Sequence, residues 1–153
     1  MNRIDAAAAV NGGCLVIGMK ELEKVRSFFS DDKYATDATG IVIEDYDEGY
    51  AKVALRLDKR HRNAVGHVMG AVYYTLADFA FAVANNHDTE KPVTVTLSST
   101  IDYLSEVKGD SMYAVAEVLK EGRKICYYRI DIFDDDGCKC AVVMTKGYRV
   151  PKE

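Results

Sequence analysis

The chain has 153 residues, of which 48% are hydrophobic and 29% charged, with a formal net charge of −4. That length suits a single domain with a core of its own, needing no disulfide or metal staple. The acidic balance argues against nucleic acid as the main partner, because phosphate binding calls for a basic face, and no apolar run is long enough to span a membrane.

The first stretch, MNRIDAAAAVNGGCLVIG, holds two short apolar patches split by NGG. It makes a poor secretory signal, so a cytoplasmic protein is expected. Residues 1–18 are read as an extension, loosely ordered or packed peripherally, and residues 19–153 as the single domain. MKELEKVRSFFSDD follows, with Leu22, Val25, Phe28 and Phe29 at the spacing of an amphipathic helix. IVIEDYDEGYAKVALRLD reads as two strands joined through DYDEG, because Ala51, Val53, Leu55 and Leu57 alternate with Lys52, Ala54, Arg56 and Asp58. KRHRNAVGH is polar and turn-like.

From Gly70 to Ala84 the only strongly polar residues are Thr75 and Asp78. The segment predicts a helix of about four turns, apolar on all sides and therefore a core element. Four β-rich runs complete the chain: VTVTLSSTIDYL, DSMYAVAEVLK, KICYYRIDIFD and CKCAVVMTKGYRV. The turns between them are rich in Gly and Asp. Short turns between long strands imply an antiparallel meander. With no βαβ alternation, the class is α+β, an antiparallel sheet wrapped around one long central apolar helix. One sheet covers only part of such a helix, so a second subunit is expected to cover the rest.

Cys14, Cys126, Cys138 and Cys140 form no C-x-x-C pair, and His61, His67 and His87 give no H-x-x-x-H. The cysteines are read as reduced, small hydrophobes, and no metal or redox cofactor is expected.

HRNAVGHVMGAVYYTLAD resembles the signature of hotdog-fold acyl-CoA thioesterases of the phenylacetate-pathway type, with His61, Asn63, Gly66, Gly70 and Asp78 in register. Thr96 matches the Ser or Thr this family carries on the strand after the helix. The resemblance spans residues 20 to 150. It departs at Met69-Gly70-Ala71, where the family has His-Gly-Gly. It implies a hotdog fold, thioester hydrolysis at the Gly70 amide, and Asp78 as nucleophile or general base.

These roles agree with the chemistry of the residue types. A buried, unpaired carboxylate costs several kcal/mol, so Asp78 amid apolar neighbours is a catalytic candidate. A backbone N–H at a helix N-terminus is a donor for a developing oxyanion, and Gly70 stands where the helix begins. Eight residues separate the two, about 12 Å along a helix axis. That is too far for one helix to bring both to one carbonyl. Two antiparallel helices across a homodimer do so, with Gly70 and Asn63 from one chain and Asp78 and Thr96 from the other. Dimers are expected to assemble further into a tetramer. Asn63 either orients the attacking water or closes the loop before the helix. Thr96 hydrogen-bonds Asp78 or the water. Met69 is a packing residue or acyl-pocket wall, and Ala71, with Ala82, permits close approach beside Asp78. Lys59, Arg60, Arg62 and Arg123 are basic residues that suit coenzyme A phosphates, with Arg123 retained as the candidate. Two other functions fit less well: a non-catalytic acyl-CoA-binding module, and a hotdog dehydratase or hydratase, whose sites pair a His with an acid and carry prolines that the stretch from Gly49 to Lys91 lacks.

Overall fold

In the computed structural model, which describes residues 12–151 and side chains from position 18 onward, the alternating apolar stretches all become strands. Helix α1 (Gly12–Phe29) leads through a π-helical turn at Tyr34–Thr39 into β1 (Ile41–Asp47) and β2 (Tyr50–Arg56). A 3₁₀ turn at Lys59–His61 and a loop precede α2 (Gly70–Asn86). The strands β3 (Thr94–Tyr103), β4 (Ser111–Glu121), β5 (Ile125–Asp134) and β6 (Lys139–Arg149) complete the fold. Residues 1–11 of the expected extension lie outside the described residues. Residues 12–18 belong to α1, which therefore begins ahead of Met19. Gly12, Gly13 and Gly18 are weak helix formers, and they hid this first part of the helix. On α1, Val25 and Phe29 are buried and Leu22 is partly so, but Phe28 is exposed.

All strand pairs are antiparallel, in the order β1-β2-β4-β5-β6-β3. The expected meander holds for β4, β5 and β6 but not for β3, which pairs with β6 rather than β4. The reason is α2: it carries the chain across the sheet, so the strand after it lands at the far edge. Residues 104–110 then recross, pinned by buried Val107, by the Lys108 N–H donating to Asp134 and by the Leu57 N–H donating to the Asp110 carbonyl.

The sheet presents one apolar face to α2. Alternation puts Ala51, Val53 and Leu55 of β2, Met112, Ala114 and Ala116 of β4, and Ile130 and Ile132 of β5 inside. The alanines let the helix lie close. Gly147 of β6 does the same under Phe81: a Cβ there would come within 2.5 Å of the Phe81 ring. Leu76, Ala80 and Val83 of α2 are fully covered. The helix is not buried all round, however. Ala71, Tyr74, Thr75, Asp78 and Ala82 form a stripe at helical spacing that the sheet leaves open or half-open.

Cys126 and Cys140 are buried free thiols, as small hydrophobes should be, while Cys138 is exposed. The side chain of Cys14 lies outside the described residues. The fully buried Asp134 accepts backbone N–H bonds from Lys108, Asp136 and Cys138, closing the β5–β6 turn. Among the described residues, no helix is long and apolar enough to cross a membrane.

Candidate active site

Asp78 lies on the open stripe of α2, half-buried, with its Oδ1 accepting a 2.8 Å hydrogen bond from the Thr96 hydroxyl. Its Oδ2 has no hydrogen-bond partner among the described residues. The two residues therefore meet within one chain, on the helix and on the adjoining edge strand. Just past Thr96 the register of β3 against β6 shifts, leaving Leu97 as the extra residue of a bulge. A bulge at a sheet edge bends the strand and re-aims its side chains.

Gly70 is the first residue of α2. Met69 caps it with extended backbone (φ −64°, ψ 140°) and without any side-chain hydrogen bond, and no acid stands in the first turn. The first N–H groups of a helix have no intrahelical acceptor, so the Gly70 amide is free of one. The side of Gly70 where a Cβ would project is closed by Tyr103, whose hydroxyl donates to the Gly70 carbonyl at 3.1 Å and would sit 2.7 Å from a Cβ at this position. Beside it is a cavity of about 430 Å³, bordered by His67, Val68, Gly70, Tyr73, Tyr103 and Glu106 among others. Asp78 does not line it. Within one chain the two groups are thus apart, as the helical spacing requires.

Asn63 is exposed and closes the loop. Its Oδ1 accepts from the Val65 and His67 N–H groups, and its own N–H donates to the His67 carbonyl. Met69 and Ala71 are exposed beside Gly70. Arg123 stands at the other end of α2, lining a cavity of about 270 Å³ with Ala84, Asn85, Lys91, Tyr128 and Arg149. Arg60 is paired with Asp58, whose carboxyl it holds down at about 2 through side-chain and backbone hydrogen bonds.

His61 and Asp32 take parts that the sequence did not disclose. The buried His61 ring accepts at Nδ1 from the Asp58 N–H, and its Nε2 lies 2.8 Å from the Thr39 carbonyl, which puts the proton on Nε2. Its own carbonyl accepts from the Met69 N–H, so it anchors the approach to Gly70. Asp32 follows Phe29, whose ring meets Phe79, the neighbour of Asp78, edge-on at 5.6 Å. Partial burial pushes the Asp32 carboxyl up from its ordinary value, and the charges of Asp31 and Asp78 add to this. Proton binding and folding are linked through this raised value. Below the unfolded value, about 3.9, Asp32 is neutral in both states and costs nothing. As pH rises through the raised folded value, the folded state loses its advantage in holding the proton and stability falls. Asp32→Asn should therefore raise Tm at pH 7 and leave it unchanged near pH 3, in melts of both proteins. An equal gain at both pH values would contradict this origin.

Comparison with known proteins agrees with this architecture. Residues 65–141 match the family model of the Thioesterase superfamily. Over 132 residues the chain is 30% identical to the acyl-coenzyme A thioesterase PaaI of Escherichia coli strain K12, covering 86% of this chain and 92% of that one. The solved structure of E. coli PaaI, from the phenylacetic acid degradation operon, superposes with a TM-score of 0.77 at 28% identity, covering 88% of this chain and 96% of that one. A hypothetical thioesterase protein from Streptococcus pneumoniae TIGR4, solved with coenzyme A, shares the fold with a TM-score of 0.73 at 21% identity, covering 82% and 98%. The chain belongs to the Thioesterase superfamily, as a PaaI-like thioester hydrolase on the hotdog fold.

Proposed function

We propose that the protein hydrolyses acyl-CoA thioesters, of small to medium or aromatic acyl groups, at two composite sites in a homodimer. The observation that carries this reading is the placement of Asp78. It is oriented at one oxygen by Thr96, open at the other, and set on the stripe of α2 that its own sheet leaves uncovered. A carboxylate so placed is poised to act on something outside its own chain.

The substrate class rests on the E. coli relative, an acyl-coenzyme A thioesterase, and on the S. pneumoniae neighbour with its coenzyme A. The mode of assembly rests on the sheet edge. Strand β3 ends the sheet, and its Val95 and Leu97 are 43% and 56% exposed. A second copy adding its own β3 antiparallel to this edge brings two α2 helices alongside one another, which suits the small Ala71 and Ala82 on their open stripes. With the helices antiparallel, the Gly70 amide of one copy reaches the level of Asp78 of the other. The thioester oxygen accepts from that amide, whose partial positive charge at the helix N-terminus favours the developing oxyanion. Asp78 attacks the carbonyl carbon or takes a proton from the attacking water. Arg123 of the copy that supplies Asp78 lies near Ala84 and Asn85, about 10 Å further along the helix. That is within reach of the phosphates of a bound coenzyme A.

Complementation between two inactive variants tests the shared site. Asp78→Asn removes the carboxylate. Gly70→Pro removes the amide proton, at a first helical position where proline is tolerated and after a residue already extended as proline requires. The exposed Tyr103 must shift to admit the ring. Each variant alone should be inactive on an acyl-CoA panel. Co-expressed in equal amounts they should recover about a quarter of the wild-type rate, because half the dimers are mixed and each mixed dimer holds one intact site. No recovery from two well-folded variants would show that a single chain supplies both groups.

A further inference from the structure

We propose that His67, held by Glu106, donates the proton to the departing thiol. The proposal rests on the hydrolytic reading above and goes beyond it by assigning a group to the leaving side of the reaction. His67 lies on the loop before α2 and lines the same cavity as Gly70. Its Nδ1 is 2.5 Å from Oε1 of Glu106, a residue 39 positions away on the segment after β3. Its Nε2 has no partner among the described residues. An imidazole oriented through one nitrogen by a carboxylate, with the other nitrogen open to a cavity, is an arrangement suited to proton transfer.

The loop is built to hold this ring in place. Asn63 accepts from the His67 N–H and donates to the His67 carbonyl, so both backbone groups of His67 are tied to one residue. Arg62 donates to the Gly66 carbonyl, and Arg62 and Val68 form a β-bridge on either side. Val68 is buried and fastens the loop to the core. The other polar side chains lining the cavity are less suited: the Ser105 hydroxyl donates to the Lys139 carbonyl. The Tyr103 hydroxyl already donates to the Gly70 carbonyl, and the Tyr73 phenol is pushed up by burial, which opposes proton release. Asn63 then acts as a positioning residue, which gives its loop-closing bonds a purpose in the reaction.

When water is the attacking group, protons and electrons are conserved throughout. Water adds to the carbonyl carbon, its proton passes to Asp78, and negative charge develops on the oxygen at the Gly70 amide. The intermediate collapses, the C–S bond breaks, and the electron pair leaves with sulfur. Sulfur takes the proton from Nε2 of the protonated imidazole, whose positive charge Glu106 had balanced. The imidazole regains a proton from solvent, Asp78 releases one, and the net change is one water consumed with acid and thiol formed.

A general acid at the leaving group matters most when that group is a poor one. Wild type, His67→Gln and Glu106→Gln would be assayed with an acyl-CoA and with the thiophenol ester of the same acid, whose thiolate is far more stable. For His67→Gln we expect kcat/KM to fall about 100-fold on acyl-CoA and less than about 3-fold on the thiophenol ester, with Glu106→Gln in between on acyl-CoA. Because His67 and Glu106 are both exposed, folding should survive, and turnover of the thiophenol ester reports it within the same assay. Equal losses on both esters in a variant whose melt matches wild type, or no loss on either, would overturn the role of His67 while leaving the hydrolytic reading intact. A wild type inactive on both esters would overturn both.

Discussion

Asp78→Asn should lower acyl-CoA hydrolysis by about 10²- to 10⁴-fold, the range expected when a positioned acid–base group is lost. The substitution keeps the side chain's shape, and the amide oxygen still accepts from the Thr96 hydroxyl that now bonds Oδ1. Folding is therefore expected to be unaffected. In the proposed mechanism, what is lost is the negative charge on the open face of α2, either as the attacking atom or as the acceptor of a proton from water. The measurement is thiol release under saturating acyl-CoA, with a melt of each protein as control. A variant that folds normally and keeps more than about a tenth of the wild-type rate would remove Asp78 from the chemistry.

The largest expected effect on stability comes from Phe81→Ala, at about 3–5 kcal/mol. Phe81 is 1% exposed, meets Tyr128 edge-on with ring centroids 5.2 Å apart, and fills the space that Gly147 leaves by having no Cβ. Truncation removes the ring's burial and opens a cavity that a helix clamped against six strands cannot close. For a domain of this size, Tm should drop by about 6–20 °C. Tyr74→Ala, one exposed position on the open stripe of the same helix, gives the contrast and should change a monomer's stability little. Both are read by denaturant titration under conditions where the assembly state is the same.

Periodicity in the sequence encodes the elements themselves. The alternation in β2, the long apolar run of α2 and the turn residues between β4, β5 and β6 gave correct elements, because burial of one face leaves a direct trace in the sequence. It did not give neighbours. Nothing in TVTLSSTIDY says that this strand pairs with β6 at the sheet's end, since an edge strand and an inner strand share the same alternation. The pairing of Asp78 with Thr96 was legible only through resemblance to a family. The His67–Glu106 contact had no local signal, because two exposed polar residues far apart in sequence meet only through the path of the chain between β3 and β4. His61 stands in register with a family signature, yet its part in the fold is to fasten two loops from inside. Phe28 and Cys138 mark the opposite error: residue type suggested burial, and each points outward.

Strand β3 has a consequence for the protein's handling as well as for its chemistry. Its ten residues form one end of the sheet, contain no proline, and carry a single charge, at Asp102. Proteins commonly guard such an edge with lysines, prolines or a covering loop. Here the bulge at Leu97 is the only such guard within the strand, and it exposes a leucine. The same row of edge backbone groups through which two copies would pair in the proposed dimer would, in a chain held apart from any partner, invite any extended segment that came near. Charges introduced at Val95 and Leu97 would thus act in two directions, opposing the proposed pairing of copies while protecting the single chain from precipitation.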